Sequence, residues 1–356
     1  MINVSDSIKQ VAKDLGFQAV GIARVSDPGH FQQESNQHTS YPTPSSPGLL
    51  PSLLDWLARG YHGTMEWMAN TPHRRSDPTA VLPGCRSMVC VGMNYSTSHQ
   101  ADEGRGKGRI ARYAWGKDYH WVMEKRLKKL EQHIQDLAPE AKTRRYVDTG
   151  PIMEKAWAQQ AGLGWIGKHS NLVSPTYGSW LLLGEILTTL DLEIDEPGTD
   201  LCGSCSLCLH ACPTQAMPEP YVVDATRCIS YLTIEYRGSP ENIPHDLRRK
   251  LGNRIFGCDD CLDACPYNIN APQTEETAFH PSQVTLAPDL EVLAQMTEEE
   301  FGETFRTSPI RRAKYAGFQR NVRLALANEH SPGYFSSTTV TPSPPSSDSP
   351  GRKEKP

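Results

Sequence analysis

The chain lacks the features that mark exported and membrane-spanning proteins. Its first residues, MINVSDSIKQVAKDLGF, contain no basic segment followed by an apolar run and no pair of arginines. No apolar run reaches the roughly 18 residues that a membrane-spanning helix requires. We therefore expect a cytoplasmic protein that makes no contact with a membrane. Stable disulfides are rare in that compartment, so the cysteines need another use.

The sequence also has no overall excess of basic charge. It carries 36 Lys and Arg against 41 Asp and Glu, a formal net charge of −5 over 356 residues. A globally basic, polyanion-binding surface is therefore excluded, and any nucleic-acid binding must come from a local patch.

Predicted strands and helices alternate before residue 195, which is typical of an α/β or α+β domain. We predict an α+β fold built from the following parts. They are a mixed α/β domain at 1–195 with a polar loop insertion at 31–48, a cysteine-rich ferredoxin-like domain at 196–272, a short C-terminal helical segment at 273–330 and a disordered tail at 331–356.

Cysteine is scarce outside one short region. Of the ten cysteines, only Cys85 and Cys90 lie outside residues 202–265, and we expect these two to be inert core residues. Within the region, CGSCSLCLHACP has the spacing C-x2-C-x2-C-x3-C-P, and FGCDDCLDACP repeats it one cysteine short. In bacterial ferredoxins the first three cysteines of such a run hold one [4Fe–4S] cluster, and the fourth reaches the neighbouring cluster. Cys228 is a candidate for the missing ligand.

On this pattern the eight cysteines divide into two ligand sets. The first set is Cys202, Cys205, Cys208 and Cys265, and the second is Cys212, Cys228, Cys258 and Cys261. A pair of zinc sites is the alternative, because C-x2-C pairs also bind zinc. Two clusters would pass single electrons and would need another group to carry out bond chemistry.

Asp148 stands at the end of a predicted strand, in YVDTGP. A carboxyl beside an apolar pocket can have its pKa raised and act as a proton donor. Alternatively, Asp148 caps the helix that follows, with Pro151 in the first turn. Spacing alone favours the cap.

Several separated segments of the chain resemble the epoxyqueuosine reductase family. In chain order they are RRSDPTAVLPGCRSMVCVGMNY, RIARYAWGKDYH, YVDTGP, AGLGWIGKHSN, GSWLLLGE, CGSCSLCLHACPTQA, CISYLTIE, FGCDDCLDACPYN and FRTSPIRRAKYAGFQRNVRLALAN. The resemblance runs from about residue 5 to residue 328.

The resemblance implies a cobalamin-dependent reductase with two [4Fe–4S] clusters. Such an enzyme removes the epoxide oxygen of epoxyqueuosine at the wobble position of a tRNA with a GUN anticodon, and it draws electrons from an external low-potential donor. Its cobalamin-binding domain, at 1–195 here, is similar to that of reductive dehalogenases. The resemblance makes Asp148 the proton donor, for which a neutral carboxyl is suited. We expect a monomer.

The same resemblance identifies residues that contact cobalamin. They are Arg75, Arg112, Asp148, Ser170, Asn171, Ser230 and Gly257. The chain has no D-x-H-x-x-G segment, the signal for a histidine below cobalt. We therefore expect His169 to be a pocket residue rather than a cobalt ligand.

One local stretch is strongly basic. Residues 306–323 contain six Lys or Arg and no acid, with Tyr315 and Phe318 among them. Such a mixture suits phosphate contact and base stacking, although a solvated helix face has the same composition. The resemblance favours tRNA, and we predict contacts from these residues: Tyr236, Arg237, Arg306, Arg311, Arg312, Lys314 and Arg320.

Two other functions remain open on the sequence. A cytosolic cobalamin-dependent reductive dehalogenase would share the corrin and the clusters but would not need a basic RNA surface. A non-catalytic electron carrier would use the cysteine-rich region alone and would leave residues 109–185 without a role.

Overall fold

The structure is a computed structural model that describes residues 3–25, 49–102 and 104–329. The loop predicted at 31–48 and the tail predicted at 331–356 lie outside these residues. Within the described ranges, no helix is both long enough and apolar enough to cross a bilayer.

The described residues form helices and strands in alternation, followed by helices. The helices are α1 (Val4–Asp14), α2 (Leu49–Ala58), α3 (Glu66–Ala69), α4 (Pro72–Ser76), α5 (Tyr119–Leu137), α6 (Glu154–Gln160), α7 (Leu207–Ala211), α8 (Ile229–Ile234), α9 (His245–Lys250), α10 (Asp260–Asp263), α11 (Pro266–Ile269), α12 (Gln283–Leu286), α13 (Leu290–Gln295), α14 (Glu298–Thr304) and α15 (Lys314–Glu329). The strands are β1 (Ala19–Arg24), β2 (Ser87–Asn94), β3 (Arg109–Ile110), β4 (Thr143–Tyr146), β5 (Trp165–Ile166), β6 (Leu172–Val173), β7 (Leu181–Thr188) and β8 (Arg254–Phe256). Short 3-10 helices span Pro78–Ala80, Arg112–Ala114, Ala225–Arg227, Pro240–Asn242, Thr277–Phe279 and Pro309–Ala313.

Four strands form the central sheet in the order β1-β2-β7-β4, and every neighbouring pair is antiparallel. Glu185 on β7 pairs with Cys90 of β2 on one side and with Tyr146 of β4 on the other. The predicted alternation of strands and helices is present. Because the strands run antiparallel, the fold is α+β, as predicted.

Alternate residues of each strand face different layers, as the two-residue period of a strand requires. Val89 and Val91 pack into a layer with α1 and α5, whereas Met88 and Cys90 face a layer that contains α6. Helix α5 contributes fully buried residues at helical spacing. They are Met123, Leu127, Leu130 and Ile134. These two layers fix where β4 and β7 end, and therefore where the cavity described below opens.

Local sequence signals set the ends of the elements near the site. Helix α1 begins after Asn3, whose side chain accepts the Ser5 N–H, and the chain turns into β1 through Gly16 at φ 87°. Helix α5 begins after Asp118, whose carboxylate accepts the backbone N–H of His120. The cap on α5 therefore places Asp118 and His120 side by side.

The C-terminal helices fasten the cysteine-rich region to the rest of the molecule. Strand β8 pairs in parallel with β3, and α13, α14 and α15 pack over this pair in one buried cluster. On α15, Arg320 donates to the carbonyl oxygens of Leu232, Tyr236 and Gly238. The neighbouring Asn321 donates to Thr233 and Ile255. The start of α15 is thereby held against the segment that follows Cys228.

Candidate active site

A cavity of about 970 Å³ lies where the three predicted regions meet. Asp148 and His120 come from the first domain, Ser230 and Glu235 from the cysteine-rich region, and Arg311 from the C-terminal segment. A site assembled from all three regions can combine a proton donor, a redox centre and a basic surface.

Asp148 reaches this cavity from the end of β4. The chain leaves the strand at the buried Val147, and Asp148 has φ 57°, a left-handed conformation that is strained for a residue other than glycine. Its side chain is 55% exposed. Helix α6 starts at Glu154 with Met153 as its N-cap and has no side-chain cap. The capping role considered for Asp148 is therefore wrong.

His120 bridges two carboxylates. Its Nε2 lies 3.3 Å from Asp148 Oδ2, and its Nδ1 lies 2.7 Å from Asp118 Oδ1. Asp118 is fixed by its capping bond to the backbone of α5 at 3.0 Å. The imidazole is thus anchored on one side and contacts the cavity carboxylate on the other.

This bridge sets the charges of the site. Burial alone would lower the pKa of His120, but hydrogen bonds to Asp118 and Asp148 raise it to about 9. Burial would raise the pKa of Asp148, but the hydrogen bond and the charge of His120 bring it below its ordinary value. The expectation of a neutral Asp148 is therefore wrong for this state, in which the proton lies on His120 and Asp148 is a carboxylate.

Three aromatic side chains line the same cavity: Tyr113, Tyr119 and Trp121. The Tyr119 ring stacks on His120 with centroids 4.1 Å apart, and Tyr119 helps to lower the pKa of Asp148. Burial, and then the Asp148 charge, raise the pKa of Tyr119 well above its ordinary value, so it stays a neutral donor. Trp121, by contrast, is 64% exposed at the first turn of α5.

Buried ionisable groups surround Asp148. Glu185 is 2% exposed, and its Oε2 has no hydrogen-bond partner among the described residues. Burial, and then the nearby Glu154, raise the pKa of Glu185 well above its ordinary value. Arg75 lies over the Trp67 ring at 5.0 Å, and its buried Nε also has no partner in the described ranges. Burial lowers the pKa of Arg75, against the opposing charges of Glu154 and Asp148.

The residues predicted to contact cobalamin fall into separate places. Asp148 and Ser230 line the cavity described above, whereas Arg112 and Gly257 line a neighbouring cavity of about 390 Å³. Tyr113 connects the two, since a Cβ on Gly257 (φ 71°) would lie 3.6 Å from its ring.

Ser170 and Asn171 line neither cavity and contact α6 instead. Lys155 Nζ donates to Ser170 O at 3.2 Å and to Asn171 Oδ1 at 3.0 Å. The Ser170 hydroxyl donates to the Tyr221 carbonyl at 2.7 Å. His169 is 3% exposed, and burial lowers its pKa to about 4, so it is a neutral packed residue.

The donor set fits cobalamin in chemical terms. The corrin ring carries amide side chains that both donate and accept hydrogen bonds. Arg75 Nε and Glu185 Oε2 are buried atoms without a partner among the described residues, although neither residue lines the cavity. Tyr113 and Ser230 supply further polar atoms at the cavity wall.

The eight cysteines group by proximity into two sets of four. Burial first, and then the charges of Cys202, Cys265 and Cys205, raise the pKa of the Cys208 thiol to about 11. In the same way the pKa of Cys261 is raised by burial and by Cys258, Cys228 and Cys212. All eight thiols are free of disulfides. The assignment of the thiols to two ligand sets stays a prediction, and eight thiols in two groups of four would suit two [4Fe–4S] clusters.

The two cysteines outside this region are core residues. Cys85 and Cys90 are 4% and 2% exposed, and burial raises the pKa of Cys85 to about 11. Neither thiol has the thiolate character that reactivity requires.

Four of the residues predicted to contact RNA line the Asp148 cavity; we call them the basic rim. The basic rim consists of Arg306, Arg311, Arg312 and Lys314. Arg312 forms a two-pronged ion pair with Glu235 at 2.9 and 3.0 Å. Lys314 begins α15, a helix of 16 residues whose N-terminus carries partial positive charge. Positive charge therefore collects at one edge of the cavity.

The other predicted RNA contacts have structural roles. Arg320 is 9% exposed with its guanidinium committed to main-chain carbonyls, and Arg237 donates to Ile234 and Ala313. Tyr236 lies 5.1 Å from the Arg320 guanidinium, and its hydroxyl donates to Ser239. Phe318 is fully buried, so the base-stacking role considered for it is wrong. We leave these four residues out of the basic rim.

Sequence reasoning missed His120, Tyr119 and Asp118 as site residues. Their signal was the segment GKDYH, in which an aspartate at a helix start stands two residues before a histidine. It missed Glu185 because a single acid in an apolar strand gives no indication of what it faces.

Comparisons with known proteins show which family the chain is similar to. The family model for "Epoxyqueuosine reductase QueG, DUF1730" matches residues 75–149, and the model for a "4Fe-4S double cluster binding domain" matches residues 201–268. An epoxyqueuosine reductase of Synechocystis is 47% identical over 77% of this chain and 94% of its own length. That of Escherichia coli is 41% identical over 91% of this chain and 81% of its own length. A crystal structure of epoxyqueuosine reductase with an epoxyqueuosine-modified tRNA-Tyr stem loop matches with a TM-score of 0.80 at 30% identity, covering 92% of this chain and 82% of that one.

Proposed function

The chain belongs to the epoxyqueuosine reductase family, and we propose that it reduces epoxyqueuosine at the wobble position of GUN-anticodon tRNAs to queuosine with cobalamin and two [4Fe–4S] clusters. One observation carries the proposal. The Asp148 carboxylate, paired with a protonated His120, lines a cavity that has the basic rim on one side and Ser230 on the other, two residues after Cys228.

The reaction needs two electrons and two protons, because the epoxide oxygen leaves as water and a carbon–carbon double bond remains. When bound, cobalamin supplies the reducing power for breaking the carbon–oxygen bonds. Arg75, Arg112, Asp148, Ser170, Asn171, Ser230 and Gly257 are the residues that we propose would hold it.

One of the two protons comes from the bridged pair, and the second is taken up from solvent. Asp148 alone is a carboxylate in this state and has no proton to give. His120, with a pKa of about 9, holds one at neutral pH and is hydrogen-bonded to Asp148. We propose that the proton passes from His120 Nε2 to Asp148 and then to the developing alkoxide, while Asp118 stays ionised and holds the imidazole in place.

The electrons arrive through the cysteine-rich region. Cys228 and Cys258, proposed ligands of the second cluster, stand beside the wall residues Ser230 and Gly257 of the two cavities. Among the described residues, no cysteine of the first set lines either cavity. The first cluster is therefore the one that receives electrons from the external low-potential donor, and the second passes them toward the site.

The RNA contacts lie at the basic rim. Lys and Arg side chains fix phosphates, and the exposed Trp121 offers an unpaired base a stacking surface. The target nucleotide would leave the stack of the anticodon loop to enter the cavity, as enzymes acting on a base require. Since one chain supplies every wall of the cavity, a monomer in the cytoplasm suffices.

Nucleoside analysis of tRNA tests the function directly. Cells without the protein should accumulate epoxyqueuosine, and the intact gene should restore queuosine. A reconstituted preparation should show corrin absorption bands in addition to broad cluster absorption. Unaltered queuosine in the deleted cells would refute the proposal and favour the dehalogenase or the electron carrier.

A further inference from the structure

The Trp165 side chain contacts a proposed ligand of the first cluster. Its indole Nε1 donates to Cys202 Sγ at 3.3 Å. An indole N–H is a donor only, and Trp165 is 1% exposed, so this hydrogen cannot turn to water instead. The contact is a partly buried hydrogen bond to a single sulfur.

The geometry of this contact is fixed independently of the sulfur. The Trp165 ring packs edge-on against Tyr267, two residues after Cys265, with centroids 4.8 Å apart. The preceding Gly164 is pressed between two backbones: a Cβ there would lie 2.1 Å from Val173 O, and one on Gly198 would lie 1.8 Å from Gly164 O. The indole therefore cannot move away from Cys202 without breaking the packing of β5.

Hydrogen bonds to cluster sulfurs are among the factors that set the reduction potential of an iron–sulfur cluster. Reduction adds negative charge that is shared by the thiolate ligands, and a donor aimed at one of them stabilises the reduced form more than the oxidised form. We propose that Trp165 is a positioning residue that raises the reduction potential of the first cluster by donating its indole N–H to the Cys202 thiolate. This rests on the proposed function, in which Cys202 is a cluster ligand.

The second cysteine set offers a matched comparison. Thr214 is fully buried, and its hydroxyl lies 3.5 Å from Cys212 Sγ, which also accepts the Ala216 N–H at 3.2 Å. Each set thus has a side-chain hydrogen-bonding group that a single substitution removes, and Thr214→Val does so with little change of shape. Trp165→Phe removes it from the first set and Thr214→Val from the second.

The experiment is a redox titration of the holoenzyme followed by electron paramagnetic resonance, after iron and sulfide analysis. In Trp165→Phe one of the two cluster potentials should become more negative while the other stays in place. A tenfold fall in the ratio of reduced to oxidised cluster at fixed poise corresponds to about 59 mV for a one-electron couple. Thr214→Val should move the other potential. An unchanged pair of potentials in a Trp165→Phe protein with full cluster content overturns the proposal.

A second measurement covers the case in which Trp165→Phe fails to retain its clusters. In wild-type holoenzyme labelled with ¹⁵N at indole nitrogen, pulsed resonance of the reduced cluster should show a ¹⁵N coupling, and its absence overturns the proposal. If the wild type reduces epoxyqueuosine but neither the potentials of Trp165→Phe nor the ¹⁵N coupling shows an effect of Trp165, this inference alone is refuted. A wild type that assembles no iron–sulfur cluster refutes the proposed function and this inference with it.

Discussion

Replacing His120 with glutamine should change how the enzyme responds to pH. The pKa of His120 is raised from 6.5 to about 9. Each unit is about 1.4 kcal/mol, so the full shift corresponds to roughly 3 kcal/mol. Because the Asp148 side chain is 55% exposed, solvent screening reduces this stabilisation. We expect His120 to contribute about 1 to 2 kcal/mol to the free energy of unfolding.

The sign of the stability effect follows from the raised pKa. The contribution of His120 to the free energy of unfolding is fully present below its unfolded pKa of about 6.5. It is lost as the pH rises through the folded value of about 9. The free energy of unfolding of the wild type should therefore fall by about 1 to 2 kcal/mol across this window, relative to His120→Gln.

The rate of reduction should also depend on the protonation of His120. Single-turnover reduction of a modified stem loop by wild-type enzyme should decline above about pH 9, where His120 loses its proton. In His120→Gln the lowering of the Asp148 pKa by His120 disappears, so the optimum should move to lower pH and the rate near neutrality should fall by about 10²-fold or more. If the two proteins show the same pH–rate profile, the proton-transfer reasoning is refuted.

The remaining predictions concern the acid and the RNA surface. Asp148→Asn should abolish turnover while the corrin bands remain after reconstitution; normal activity would remove its role as acid. Neutralising the basic rim should weaken tRNA binding and flatten its salt dependence, by about 0.7 in log–log slope for each lost phosphate contact. Arg323→Gln, outside the rim, should leave that slope alone, and an unchanged slope in the rim variant would place the RNA elsewhere. Trp121→Ala should weaken stem-loop binding by about 1 to 3 kcal/mol, whereas Trp121→Phe should retain most of it; equal affinities for both would rule out stacking.

Much of the fold could be predicted because its signals are local. The apolar run around Gly184 forms β7 and the amphipathic run after Asp118 forms α5. The grouping of the cysteines could be predicted in part from the short x2 loops, but the exchange of fourth ligands rests on the ferredoxin pattern. The direction of strand pairing could not be predicted from composition, because it depends on how β4 returns beside β7.

The charge states of the site could not be predicted, because they depend on contacts between distant segments. The pKa of Asp148 is set by His120, 28 residues earlier in the chain. Arg320 belongs to a basic stretch, but it turns inward to carbonyls more than 80 residues away in sequence. A basic composition fixes the charge of a helix and not the direction in which each guanidinium points.

The inward turn of Arg320 has a consequence for how the protein is assembled. Lys314 and Arg320 both lie on α15, and Arg320 donates a hydrogen bond to the short segment that begins just after Cys228. The proposed tRNA-contacting surface and the segment that follows a proposed cluster ligand are therefore joined by one helix.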